Sequence, residues 1–138
     1  MAGSIWVRVV SATGVVWRAD DATSVIVRTT EGDIGFLAGH EPVLAVLVPC
    51  AAQIETPRGR EVVFVDNGYV AVAEDRVAVL SQYGQMAGDI DADAAARELE
   101  EASARSAEAD DPEARARLRL AQARMAAVDL VSGKPRAE

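Results

Sequence analysis

The clearest sign of the fold class is the stretch VVFVDNGYVAVA, which spans residues 62–73. Val62–Val65 and Tyr69–Ala73 are rich in β-branched and aromatic residues, which favour strands. Asn67-Gly68 lies between them, and this dipeptide tolerates positive φ at both central positions of a tight hairpin. The stretch therefore predicts two strands that pair antiparallel across the Asn-Gly turn.

Similar short segments occupy the rest of the sequence up to Tyr83 and are separated by turn residues. They are Ile5–Val10, Val15–Ala19, Ser24–Thr29, Val43–Val48, Ala52–Thr56 and Val77–Ser81. Strands at a spacing of roughly 8–12 residues are typical of an antiparallel sandwich or barrel rather than of βαβ units. All six aromatic residues lie in this half, so we expect the large core here, with Trp6, Trp17 and Tyr69 inside it.

The remainder of the chain predicts two helices. After Gly84–Gly88 the sequence lacks aromatic residues and is dominated by Ala, Glu, Arg and Leu, which favour helix. Asp91 can cap a first helix over about residues 91–107. A second helix is expected from Pro112 to about Leu130. Its signals are Asp110 or Asp111 as the cap before it, and Gly133 and Pro135 beyond its end.

Apolar residues form one narrow stripe on each predicted helix, at spacings of three and four. The stripes are Ala95, Leu99 and Ala102 on the first helix, and Ala114, Leu118, Ala121, Met125 and Val128 on the second. Such a stripe predicts contact with one neighbour only, so we expect an antiparallel hairpin. Because alanine buries little area, the hairpin gains only about a few kcal/mol and should be able to detach.

Charge excludes some classes of partner. The net charge is −8, which argues against binding to nucleic acids and against direct binding to anionic lipids.

The two predicted helices differ in charge. Residues 89–113 hold ten acidic and two basic residues, whereas residues 114–138 hold six basic and two acidic ones. The two helices should therefore attract each other when folded back, and the second would suit an acidic protein surface when opened. The alternative is two solvated faces with weak ion pairs.

Catalytic and metal-binding motifs are missing from the sequence. His40 and Cys50 are the single residues of their types, so a multi-His/Cys metal site is not available and no disulfide can form within the chain. Cys50 follows Pro49 at the end of an apolar run and is expected to be a buried, unreactive thiol. Met1–Ser4 carries no basic cluster, and the sequence predicts no secretory signal or membrane-spanning segment. We therefore expect a protein without catalytic residues that works through other subunits.

One motif resembles a known family. Residues 28–42 read RTTEGDIGFLAGHEP and closely resemble a signature of the epsilon subunit of F-type ATP synthases. Residues 66–72 and 75–80 are similar to two further strands of that family, although Ala38 stands where a Pro is usual. The break at residues 110–112, followed by an Arg- and Ala-rich helix, looks most like actinobacterial members.

The resemblance implies an α+β protein. Its N-terminal, ten-stranded antiparallel β-sandwich (residues 1–84) would be followed by a C-terminal antiparallel two-helix hairpin (residues 85–138). It also implies a non-catalytic rotor subunit of a proton-driven ATP synthase, at the cytoplasmic face of the bacterial plasma membrane. The implied partners are the gamma subunit, the c-ring and the catalytic alpha and beta subunits, and the hairpin would restrain ATP hydrolysis.

The resemblance also assigns residues to these partners. Glu31, Asp33 and His40 fall on the loop that faces the c-ring in the family, although His40 could instead be a structural residue. Arg115, Arg119 and Arg124 match the basic helix that meets acidic loops of the beta subunit.

Several family members bind ATP through an (Ile/Leu)-Asp-x-x-Arg-Ala motif. Here the residues 90–95 read IDADAA, so Ile90, Asp91 and Ala95 match while Ala94 replaces the arginine. A phosphate partner is thereby lost, although Arg124 could contribute from the second helix. We expect weak ATP binding or none, and no cofactor. The rival interpretations are an ATP-sensing switch and an unrelated β-domain adaptor with a helical dimerisation tail.

Overall fold

The computed structural model describes residues 3–109 and 111–132. This part of the chain forms ten strands, a short 3-10 helix (Ala87–Asp89) and the two helices α1 (Ala92–Glu108) and α2 (Pro112–Ser132). The strands are β1 (Ile5–Ser11), β2 (Gly14–Ala22), β3 (Ser24–Thr29), β4 (Gly32–Phe36), β5 (Val43–Leu47), β6 (Cys50–Thr56), β7 (Gly59–Val65), β8 (Gly68–Ala73), β9 (Arg76–Ser81) and β10 (Gly84–Met86). The expected sandwich and helix pair are confirmed.

The strands form two layers that face each other. One layer has the order β10-β7-β6-β3, with β4 on the far side of β3, and the other has the order β5-β8-β9-β1-β2. The layers join where Thr29 of β3 pairs with Leu47 of β5. β1 and β9 run parallel, and the other paired strands are antiparallel.

The interior between the layers consists mainly of aliphatic side chains. In β1, for example, Ile5, Val7 and Val9 are buried and alternate with outward residues, as the two-residue period of a strand requires. Trp6 and Tyr69 are 59% and 53% exposed, so the prediction that they belong to the core is wrong. Both occupy outward positions of their strands, where aromatic character does not decide burial.

The predicted Asn-Gly hairpin is also wrong. β7 pairs with β6 and β10, whereas β8 pairs with β5 and β9, so the chain crosses between the layers at Asp66 and Asn67. Gly68 lies against the backbone of β9 instead of turning. A Cβ built on it would overlap the carbonyl oxygen of Leu80 and lie 2.8 Å from the carbonyl carbon.

The tight hairpin of this region lies one strand later, between β8 and β9. Glu74 and Asp75 have φ values of 52° and 60°, as a two-residue hairpin turn of type I′ requires at both central positions. The side chain of Asp75 also accepts a hydrogen bond of 2.7 Å from the backbone N–H of Gly39.

Both helices begin at aspartate caps. The Asp91 side chain accepts from the N–H of Ala94 at 3.1 Å, and the Asp111 side chain accepts from the N–H of Ala114 at 2.8 Å. These bonds satisfy N–H groups that the first turn leaves without helical partners, and they confirm the predicted starts to within a residue. The alternative cap Asp110 and the stop signals Gly133 and Pro135 lie outside the described residues.

The prediction that the second helix contacts one neighbour only is wrong. Ala114 and Ala121 belong to the predicted stripe and are buried, and α2 packs along α1. A second apolar face of α2 lies on β6, β7 and the 3-10 helix; it consists of Leu120, Ala123, Ala127 and Leu130. The hairpin is therefore docked on the outer face of the β6–β7 layer.

Candidate interaction surfaces

The contact between the helices and the sandwich is built from small side chains around one aromatic ring. Phe64 and Val62 of β7 point away from the sandwich interior and are buried under α2. Ala123 and Ala127 of α2 and Ala87 of the 3-10 helix complete the buried cluster. Alanines contribute little apolar area each, so polar contacts weigh more in this docking than in the sandwich core.

Arg124 joins three parts of the molecule at this contact. Its guanidinium donates to the Glu98 carboxylate of α1 and lies 4.8 Å from the ring centroid of Phe64 in β7. Only 24% of its side chain is exposed. A partly desolvated guanidinium with a carboxylate partner and an aromatic face is among the stronger polar arrangements in proteins. We call Arg124, Glu98 and Phe64 the arginine clasp.

A half-open cavity of about 410 Å³ lies between α2 and the β3–β6 surface. It is lined by Cys50 and Pro49 from the sandwich and by Ala126 and Leu130 from α2, among others. Burial raises the pKa of the Cys50 thiol, and the backbone N–H of Arg28 donates to its sulfur at 3.4 Å. The prediction of a buried thiol is confirmed, and the docked helix forms one wall of the cavity beside it.

The motif around Glu31 forms a tight turn and a strand rather than one loop. Glu31 is exposed in the turn, and its backbone N–H donates to the Thr29 hydroxyl at 3.1 Å. Asp33 lies within β4 directly opposite Arg28 of β3, and the two side chains form an ion pair of 2.7 Å. This hydrogen bond to Asp33 raises the pKa of Arg28. Asp33 thus contributes to strand pairing as well as to the surface.

His40 lies at the other end of β4 from Glu31. Its ring forms an edge contact with Phe36, with centroids 4.9 Å apart, and its Nδ1 hydrogen-bonds the Glu41 carbonyl at 2.7 Å. The five residues of β4 separate the two positions by roughly 16 Å. The structure therefore does not bring Glu31 and His40 into one surface, and the His40 ring has local structural contacts.

The residues assigned to the helical hairpin lie in two different settings. Arg115 and Arg119 are exposed on α2, whereas Arg124 is held in the clasp. Ile90 packs against the buried cluster beneath α2, and Ala95 is buried on α1. The Asp91 carboxylate caps α1. Arg124 and Asp91, the charged residues of the expected nucleotide motif, thus have protein partners in this conformation.

The layer that the helices leave uncovered presents an apolar surface of five adjacent strands. The register places Val15, Val10, Leu80, Tyr69 and Val46 side by side across β2, β1, β9, β8 and β5. Four of the five are at least 41% exposed, and Val10 is half-buried. Leu44 extends the row along β5 and is 73% exposed. We call these six residues the apolar ladder, a feature that soluble proteins usually cover.

The described part of the chain contains neither a candidate metal site nor a candidate membrane-spanning helix. No group of three or more potential metal ligands occurs among residues 3–109 and 111–132. No helix in those ranges has the length and apolarity needed to span a membrane.

Comparison with known proteins places the sandwich in a family. Residues 4–84 match the family model described as the ATP synthase delta/epsilon chain, β-sandwich domain. The match covers more than half of the chain and coincides with strands β1 to β9. The chain belongs to the epsilon-chain family of ATP synthases.

Relatives within the epsilon-chain family include actinobacterial proteins, as the sequence predicted. The ATP synthase epsilon chain of Cutibacterium acnes is 50% identical over 94 residues, which span 67% of this chain and 64% of that protein. The epsilon chain of Streptomyces avermitilis is 41% identical over 103 residues, which span 74% of this chain and 82% of its own length.

A solved structure shares the fold of the whole epsilon-type chain. A subunit in the cryo-EM structure of the Euglena gracilis mitochondrial ATP synthase, containing OSCP, F1 and the c-ring, aligns with a TM-score of 0.72 at 21% identity. The alignment covers 96% of this chain and 82% of that one, so it includes both the sandwich and the helices.

Proposed function

We propose that the chain is a non-catalytic central-stalk subunit of a proton-driven rotary ATP synthase, bound to the gamma subunit through the apolar ladder. The ladder is the observation that supports this most directly. The ladder lies on the layer opposite the helices, so a partner can bind it while the hairpin remains docked. Aromatic and aliphatic side chains on a rigid sheet are well suited to a permanent interface.

Aspartate in the ladder should abolish binding to the gamma subunit. We expect the double variant Tyr69→Asp, Leu80→Asp to bind at least about a hundredfold more weakly, because two central apolar contacts are replaced by desolvated charges. Binding can be measured by surface plasmon resonance with immobilised gamma subunit, and circular dichroism verifies the fold.

The matched control for the ladder is Val131→Asp. Val131 is an exposed apolar residue on α2, away from the ladder, and its variant should bind normally. Unchanged affinity of the double variant would refute the proposed interface. If the chain instead forms a homodimer that the double variant disrupts, the adaptor interpretation is correct.

The sandwich end that carries Glu31 is the candidate contact with the c-ring. Glu31 is exposed in the β3–β4 turn, and this end is formed by connections rather than by covered strands. Such a contact would hold the chain at the cytoplasmic face of the bacterial membrane through another subunit. Asp33, beside this turn, would contribute through its pair with Arg28, whereas His40 belongs to the opposite end.

The helices are the candidate restraint on ATP hydrolysis. Arg115 and Arg119 are already exposed, and opening of the hairpin would add Arg124, which gives a basic face suited to acidic loops of the catalytic subunits. The docked state is held by the arginine clasp without nucleotide, since Asp91 and Arg124 have protein partners and Ala94 offers no guanidinium. This supports a hairpin whose position depends on protein contacts, with weak ATP binding or none.

Charge reversal on the exposed face of α2 should relieve this restraint. In the assembled complex, we expect Arg115→Glu with Arg119→Glu to raise ATP hydrolysis by more than about threefold, because like charges at an interface repel. ATP synthesis should stay unchanged in the same preparations. The pair Arg97→Glu with Arg105→Glu on α1 has the same change in charge and serves as control. Hydrolysis at the wild-type rate would contradict the proposed role of α2.

A further inference from the structure

Three arginines share one corner of the uncovered layer. Arg8 of β1 lies directly opposite Arg18 of β2, and Arg76 of β9 lies beside Trp6 of β1. All four side chains point outward and are exposed. With their neighbours they line an open groove of about 810 Å³. We call Trp6, Arg8, Arg18 and Arg76 the arginine corner.

The arginines of this corner form no direct ion pair within the described chain. Like charges directly opposite each other on paired strands destabilise a sheet, which is the arrangement of Arg8 and Arg18. The sequence has 22 acidic residues for 14 basic ones, so carboxylates are abundant. Even so, none of the three arginines forms an ion pair with any residue in the ranges 3–109 and 111–132. The clustering therefore points to an anionic group outside the chain.

The tryptophan of the corner points to a protein partner. Trp6 is 59% exposed, and the Arg76 guanidinium lies 5.4 Å from its ring centroid. Tryptophan and arginine are the residue types most enriched among the energetically dominant contacts of protein interfaces. Contact between an exposed tryptophan ring and water is unfavourable, so a partner that covers the ring gains free energy from its burial.

The corner continues directly into the apolar ladder. Arg8 precedes the ladder residue Val10 by two positions on β1, and Arg76 precedes Leu80 by four positions on β9, so all face the same way. Asp20 and Glu74 border the groove. These carboxylates would repel a polyanion or a broad anionic bilayer, but they leave room for one or two acidic side chains on a protein.

We propose that the arginine corner binds an acidic segment of the same stalk subunit that covers the apolar ladder. This inference rests on the proposed function, because it assigns the chemistry of that partner. The ladder supplies the apolar centre of the interface, and the corner supplies a charged rim that fixes the orientation of the partner. Charged rims mainly accelerate association and make binding sensitive to salt.

The test compares full-length chains in their binding to the gamma subunit at low salt and at about 0.3 M salt. We expect the triple variant Arg8→Gln, Arg18→Gln, Arg76→Gln to bind about tenfold more weakly at low salt, mainly through slower association. It should also lose most of the salt dependence that the natural chain shows. The control triple variant Arg97→Gln, Arg105→Gln, Arg117→Gln removes the same charge from the helices and should keep both properties.

The possible outcomes separate this inference from the proposed function. If the ladder double variant abolishes binding while the corner triple variant matches the natural chain at both salt concentrations, the corner has no acidic partner and this inference is wrong. If neither variant changes binding, the proposed stalk interface itself is wrong. Binding to vesicles of equal parts phosphatidylglycerol and phosphatidylcholine that the corner triple variant loses would assign the corner to lipid and overturn the inference.

Discussion

Replacing Gly68 by alanine should lower the free energy of unfolding of the sandwich by more than a conservative substitution on the surface does. The added Cβ would overlap the carbonyl oxygen of Leu80, a backbone atom of the adjacent strand that no rotamer change can move. Separation of β8 from β9 would then disturb the centre of the uncovered layer. We expect a loss of at least about 3 kcal/mol in the free energy of unfolding. For a domain of this size, the midpoint of thermal unfolding falls by more than about 10 °C.

Gly35→Ala is the matched control for this prediction. Gly35 also lies in a strand, but the nearest atom to an added Cβ is the Ile26 Cγ1, at the ordinary contact distance of 3.8 Å. Thermal and urea denaturation, followed by circular dichroism, should show a small change for this variant. Equal stability of the Gly35→Ala and Gly68→Ala chains would contradict the close approach of β8 and β9.

Replacing Arg124 by methionine should release the hairpin while leaving the sandwich folded. Methionine retains an apolar stem, but it loses the ion pair with Glu98 and the cation–π contact with Phe64. A hydrogen bond to a charged partner contributes about 1.5–3 kcal/mol, so the opened population should rise by about tenfold or more. Amide hydrogen exchange should accelerate across α1 and α2 and remain unchanged in β1 and β9.

Cys50 provides a second measurement of the same release. Burial raises the pKa of this thiol and thereby lowers the thiolate fraction that reacts with iodoacetamide. Release of α2 exposes the thiol to water and lowers its pKa again, so labelling should become faster in the Arg124→Met chain. Arg117→Met is the control, because Arg117 is 64% exposed and pairs with Glu113 of its own helix, at 3.7 Å. If amide exchange and Cys50 labelling in the Arg124→Met chain are as slow as in the natural chain, the clasp does not hold the hairpin.

Composition predicted eight of the strands, whereas the glycine-containing strands β4 and β10 and part of the pairing were missed. Val62–Val65 and Tyr69–Ala73 are strands, as their composition indicated, but they lie in opposite layers. Asn67-Gly68 is compatible with a hairpin and equally with a crossing, because glycine is also used where two backbones approach closely. Local propensity cannot distinguish these uses, since the deciding atom belongs to Leu80.

The docking of the hairpin had a signal in the sequence that the periodicity argument did not use. Val62 to Val65 are four consecutive apolar residues, and a strand exposed on one face would alternate. Such a run predicts a cover on both faces, and the cover of the outer face is α2. The second apolar face of α2 was missed because alanine favours helices at exposed positions as well, so Ala123 and Ala127 did not stand out as contact residues.

The candidate surfaces depend on strand register more than on motifs. Trp6, Tyr69 and Leu80 look like core residues when read singly, and each becomes part of an exposed surface only when β1, β8 and β9 are aligned. Glu31 and His40 belong to one short motif, yet a strand separates them. The clasp required three segments that lie far apart in the sequence, so Arg124 could be identified only as a basic residue on a helix.

The parallel pairing of β1 with β9 has a consequence for the order of folding. The first strand can complete its layer only after the ninth has been synthesised, because the two lie at opposite ends of the sandwich sequence. During synthesis on the ribosome, β1 therefore remains unpaired with β9 until most of the sandwich has been made. The helices are synthesised after the strands, so α2 can dock on Val62 and Phe64 only when β7 is already in place.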